Sequence, residues 1–385
     1  MKLLLLSALF LPLLSTVMAQ TDPPPKRLLV VSGGGARGAW GVGIANFLDS
    51  TGKRYAHVVG TSTGSLMAPL ILLRKYDVLN RAYTSVTQKD IFTVNPFNKR
   101  GAIRLLNALC RFNKPSLGTT ENLRNLIRTF VTPADYAQIR TSPLGLDFTV
   151  SVVNLRTLEA AYKSASQHSD YEEMVNWTWA SANQPVFMSP YITRNEAGAD
   201  DFWVDGGVRN PIPIREGLQL AFDKRYEAVD VIINSLPSAD EPAASWPDGK
   251  ATVFKALTRT LATYGSGTRE MNIAIGRLLN RLNQLTLPQL AEQASLSSQP
   301  VGTEAAEPSL VLTFYFMPHD LYALIPNELI FDPATMTTLL EAGRRGRYVT
   351  QVQEAIATPG LPVEGTYSFQ LSRTTLGRLL RELNP

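Results

Sequence analysis

His57-Val58-Val59-Gly60-Thr61-Ser62-Thr63-Gly64-Ser65-Leu66-Met67-Ala68 is the stretch on which the fold turns. An apolar run from Tyr55 to Val59 stops at a G-x-S-x-G, and small and apolar residues at helical spacing follow it. A strand that feeds a helix through such a turn is the nucleophile-elbow arrangement. Glycines two before and two after the serine let the backbones cross closely, and the strained turn exposes the hydroxyl. The helix starting near Gly64 points its positive end at the same place. Ser62 is therefore the candidate nucleophile, with Gly60 and Gly64 as its supports.

Upstream the pattern repeats. Leu28-Leu29-Val30-Val31 is wholly apolar, as expected of a parallel strand buried on both faces. It ends in Ser32-Gly33-Gly34-Gly35-Ala36-Arg37-Gly38, and a helix continues through Trp40, Val42, Ile44, Phe47 and Leu48. Gly33, Gly35 and Gly38 satisfy the G-x-G-x-x-G dinucleotide fingerprint, but that site needs an acidic residue about 20 positions on, at the end of the second strand. This chain has Gly60-Thr61-Ser62 there. The other use of such a loop is to aim bare amides at a developing negative charge beside a helix N-terminus. Gly33, Gly34 and Gly35 are the candidate oxyanion donors, and Arg37 adds a cation.

A serine hydroxyl needs a base. His57 shares a strand with Ser62 and cannot fold back onto it, and His168 sits in a polar stretch that reads as loop surface. His319 follows the strand Leu310–Phe316 and completes the order Ser62, Asp205, His319 of an α/β-hydrolase triad. The acid is Asp205, at the end of Phe202-Trp203-Val204-Asp205-Gly206-Gly207, where Gly206 and Gly207 let another element approach the carboxylate.

Taken in order, Ser32–Gly38, Gly60–Gly64 and Val204–Gly207 resemble the motifs of the patatin-like phospholipases. Ala180-Ser181 through Pro190 and Phe331-Asp332-Pro333 through Gly343 are also similar to the family's segments. The resemblance spans about Lys26 to Arg347. It implies a three-layer α/β fold, with a mostly parallel central sheet between helices on both faces. It also implies a Ser62–Asp205 dyad that needs no third residue, an oxyanion hole around Gly34 and Gly35 supported by Arg37, and a lipid or phospholipid ester as substrate. The expected activity is that of a phospholipase A or lysophospholipase. The alternatives are a His319 triad esterase and a non-catalytic patatin-fold binding protein.

The rest of the chain bounds this picture. Of 385 residues, 44% are apolar and 18% charged, against a typical ~25% charged, so a large core is expected and disorder is excluded. One cysteine and three histidines leave little for a metal centre, and neither metal nor cofactor is expected. A net charge of +4 without a long basic block argues against nucleic acid. Lys2, the apolar run Leu3–Leu14 and Ala19 read as a signal peptide over 1–19, cleaved near Ala19, which predicts an exported protein, periplasmic or secreted. A catalytic domain is expected over 26–350. Within it, 236–308 reads as a helical insert: ordinary packing, or a lid making peripheral membrane contact. A C-terminal extension is expected over 351–385. Asn176-Trp177-Thr178 fits a glycosylation sequon. The oligomeric state is not readable.

Overall fold

The structure is a computed structural model that describes residues 26–98, 101–111, 113–234, 274–275, 277–285, 309–325, 327–346 and 365–383. The leader and most of the 236–308 insert lie outside the described residues. Nine strands are described: β1 (Arg27–Val31), β2 (His57–Thr61), β3 (Asp147–Asn154), β4 (Glu159–Ser164), β5 (Tyr191–Arg194), β6 (Asp200–Asp205), β7 (Ala228–Ile233), β8 (Ser309–Phe316) and β9 (Gly365–Ser372). They form one sheet in the order β5-β6-β3-β2-β1-β7-β8-β9, with β4 also on β3.

The five central strands, β3-β2-β1-β7-β8, are parallel. The remaining strands join antiparallel at the two sides. Strand geometry explains why the central strands are apolar throughout, because alternate side chains enter opposite layers. Leu29 and Val31 of β1 pack with helix α1 (Gly38–Ser50), helix α2 (Thr63–Leu72) and the helix Pro333–Arg344. Leu28 and Val30 face the other layer, with Leu218, Leu279 and Leu376. The sheet is thus covered by helices on both faces, as expected.

The described parts of the C-terminal stretch and of the insert both belong to the packed domain. Within 351–385, the described residues 365–383 are part of the sheet domain: β9 pairs with β8 over eight residues, and Phe369, Leu371, Leu376 and Leu379 are buried in the second layer. Without β9, the apolar strand β8 would present an open edge. The described part of the insert, around 274–285, buries Ile275, Leu278, Leu279 and Leu282 in that same layer, and Arg281 pairs with Glu382. That part is core packing, not a lid. The sequon lies within the helix Tyr171–Ser181 with Trp177 and Thr178 buried, and so is not a surface loop.

Candidate active site

Because β1 and β2 are parallel neighbours in register, the turns that follow them emerge side by side at the carboxyl ends of the strands. Open α/β sheets bind their ligands at this end. Asp205 arrives by a different route. The antiparallel β6 sets Asp205 against Val152 of β3, one position beyond Ser151, which pairs with Thr61. Residues 143 apart in sequence are thereby held at one height on the sheet.

Ser62 has φ 55° and ψ −122°, a left-handed backbone that a serine adopts only when its surroundings force it. The surroundings are those two glycines. A Cβ on Gly60 would lie 2.4 Å from the carbonyl carbon of Gly64, and one on Gly64 would lie 2.3 Å from the Val31 oxygen. The Ser62 amide donates to Ser181 Oγ at 3.2 Å, and Ser181 donates to the Ser151 carbonyl at 2.6 Å. Ser181 belongs to the Ala-Ser segment noted in the sequence, but nothing there predicted that it holds the elbow.

Asp205 is 6% exposed. Its Oδ1 accepts from the Gly207 amide at 2.7 Å, and the Ser62 hydroxyl lies close enough to the carboxylate to act on its pKa. Burial pushes its pKa up to about 7. The Ser62 and Gly207 hydrogen bonds oppose that rise, and the nearby Glu328 carboxyl adds to it. The pair therefore sets a hydroxyl beside a carboxylate of unusual basicity. Gly206, next in the chain, packs directly on Ser151, where a Cβ would come within 2.3 Å of its hydroxyl.

The glycine loop differs from expectation in two places. The Gly33 amide is committed to the Pro211 carbonyl at 2.9 Å, so it is not an oxyanion donor. The amides of Gly34 and Gly35 carry no hydrogen bond among the described residues. Arg37 is buried, and its charge is turned to structure rather than to an open site. Its Nε donates to the Ile325 carbonyl at 2.9 Å, its guanidinium lies 3.6 Å from the centroid of the Tyr322 ring, and Glu328 is 3.8 Å away. Together with Ala36 N–H to Glu328 O at 2.9 Å, these contacts strap Tyr322, Ile325 and Glu328 over the glycine loop. Gly35 has φ +50°, and a Cβ there would meet the Glu328 oxygen at 2.2 Å. Sequence inspection missed this strap, and Glu328 with it.

The histidines stand apart. His319 is exposed and stacks on Tyr322, and it does not line the cavity that holds Ser62 and Asp205. The triad alternative therefore lacks its geometry. His57 is buried against Thr149, Nε2 to Oγ1 2.8 Å, and burial lowers its pKa to about 4. Among the described residues, no three His, Cys, Asp or Glu side chains are grouped to share a metal ion.

Ser62 and Asp205 line one open, mainly apolar cavity. Leu70, Leu79, Leu123, Ile127, Phe148 and Met174 are among its predominantly apolar walls. Thr178, Gln184 and Glu328 are polar groups in the same wall. An unbranched hydrocarbon chain suits such a space, with a carbonyl left beside Ser62.

Comparison with known proteins bears on residues 29–218, which match the family model described as patatin-like phospholipase. No curated protein matches. Among solved structures, VipD from Legionella pneumophila is similar at 14% identity, over 83% of this chain and 67% of that one, with a TM-score of 0.31. The type III effector protein ExoU is similar at 12% identity, over 84% of this chain and 78% of that one, with a TM-score of 0.27. At such scores the description of the fold rests on the strand order and on the family match.

Proposed function

We propose that this chain, which carries a patatin-like phospholipase domain over residues 29–218, is an exported lipid acyl hydrolase of the phospholipase A or lysophospholipase type. The observation that carries the proposal is the Ser62–Asp205 pair at an apolar cavity, beside two amides with no partner among the described residues. The acyl chain occupies the cavity and the ester carbonyl lies against the elbow. Ser62 Oγ attacks the carbonyl carbon as Asp205 takes its proton, and the amides of Gly34 and Gly35 hold the oxyanion. Collapse breaks the ester C–O bond, and Asp205 returns the proton to the departing alcohol. Water then attacks the acyl-enzyme with Asp205 again as base, releasing the fatty acid and restoring Ser62.

The burial of Asp205 fits this role. A carboxylate of ordinary pKa is a weak base toward a hydroxyl, whereas one near 7 has a pKa matched to a neutral working pH. The test is fatty-acid release from phosphatidylcholine and lysophosphatidylcholine by Ser62→Ala. The expected result is no release from either lipid with an unchanged melting temperature. Continued release by that folded variant would contradict the proposal. Export predicts that the protein recovered outside the cytoplasm begins near Gln20.

A further inference from the structure

The helix Leu105–Cys110 presents two leucines to solvent, Leu106 at 78% and Leu109 at 66% exposure. Spaced three apart, they lie on one side of the helix. Along this stretch of chain the charge is of one sign. Between Asp90 and Glu121 the sequence has no acidic residue, whereas Arg104, Arg111 and Lys114 flank the leucines, and Arg104 and Lys114 are exposed. Exposed large apolar side chains flanked in the chain by cations make the composition of an interfacial surface, in which leucines enter the acyl boundary and Lys or Arg meet anionic headgroups.

This helix also sits beside the cavity. Arg104 N–H donates to the Pro96 carbonyl at 2.8 Å, and Asn107 Nδ2 donates to the Asn95 carbonyl at 3.1 Å. The neighbouring Phe97 packs in the cluster that includes Ile91, Leu123 and Leu329. Gly101 abuts Ile330, and its carbonyl accepts from Asn327. Residues 328, 329 and 331 line the cavity. The exposed leucines are thus coupled through short contacts to the wall beside Ser62.

We infer that Arg104, Leu106, Leu109 and Lys114 form a docking surface for an anionic lipid bilayer, which brings the cavity to the membrane. The inference rests on the lipid-hydrolase reading for its purpose, but its measurement does not depend on hydrolysis. Cys110 is exposed on the same helix and is the chain's one cysteine, so a single environment-sensitive fluorophore there reports on it directly. With vesicles of phosphatidylcholine and phosphatidylglycerol, the labelled protein should show a blue shift and co-sediment, and both should weaken with salt and with pure phosphatidylcholine.

Leu106→Ser with Leu109→Ser should lower vesicle affinity roughly tenfold or more. Arg104→Gln with Lys114→Gln should lower it by roughly tenfold on anionic vesicles and leave it unchanged on neutral ones. Hydrolysis of a soluble short-chain ester should stay at the wild-type level in both variants. Absence of vesicle binding by the wild type, or full binding by the leucine variant, would overturn the inference. Vesicle binding without hydrolysis of any ester would uphold the docking surface and remove the hydrolase reading.

Discussion

Asp205 and Asp230 are buried carboxylates of the same sheet, set in opposite surroundings. Asp230, within β7, is fully buried and surrounded by donors. Lys53 and the Tyr315 hydroxyl reach Oδ1 at 2.8 and 2.9 Å, while Arg27 and the Tyr55 hydroxyl reach Oδ2 at 2.8 and 3.0 Å. Asp205 has one amide, one hydroxyl and a second carboxyl nearby. A buried charge met by two cations and two phenols belongs to the scaffold. One left partly compensated retains its affinity for a proton, which is what a general base requires.

Exchanging each acid for its amide breaks the comparison most sharply. Asp205→Asn should lower kcat/KM by about 10⁴, the scale of losing a catalytic base or its orienting acid. The same variant should be more stable than wild type above neutral pH. In wild type the unfolded chain ionises first, with an ordinary carboxylate pKa near 4, while folded Asp205 holds its proton to about 7. Stability is therefore lost as pH rises through that window, and the asparagine variant escapes the loss. Thermal melts across this window, with kinetics, check both halves. Asp230→Asn should do the reverse. It leaves Arg27 and Lys53 facing a neutral group and costs about 3–5 kcal/mol of stability, with the turnover of the folded fraction unchanged.

Smaller effects sharpen the picture of the catalytic end. Gly35→Ala forces a Cβ onto the Glu328 carbonyl and should displace an oxyanion donor, lowering kcat by roughly 10²–10³ with KM little changed. Glu328→Gln should shift the acid limb of the kcat/KM–pH profile downward, because a negative neighbour that raises the Asp205 pKa is removed. Wild type should show that limb near 7. A profile flat from pH 5 to 9 would separate Asp205 from proton transfer.

The sequence carried the catalytic end well because its constraints are local. Gly60 and Gly64 are needed within one turn of Ser62, the loop glycines sit directly after β1, and wholly apolar strands announce burial on both faces. What it hid is non-local. The strap through Tyr322, Ile325 and Glu328 meets Arg37 nearly 290 residues away, and nothing in Asn327-Glu328-Leu329 marks it. From sequence Arg37 therefore reads as an oxyanion cation, although its partners lie on the strap. Gly33 is indistinguishable from its neighbours in sequence, and only its amide's bond to the Pro211 carbonyl sets it apart. The cavity is equally invisible, since Leu79, Leu123 and Met174 follow the helical spacing of ordinary core residues. β9 does not announce itself as part of the domain, because an antiparallel edge strand is recognised by its partner β8, not by its own pattern.

The central claim is that burial makes Asp205 the base that activates Ser62. It is tested most directly by labelling the protein with a lipid-like fluorophosphonate and mapping the adduct by peptide mass spectrometry as a function of pH. A single adduct on Ser62, forming faster as pH rises through about 7 and lost in Asp205→Asn, is the predicted result. Labelling of Ser62 at the same rate in folded Asp205→Asn, or no adduct on the folded wild type with and without lipid vesicles, would contradict it.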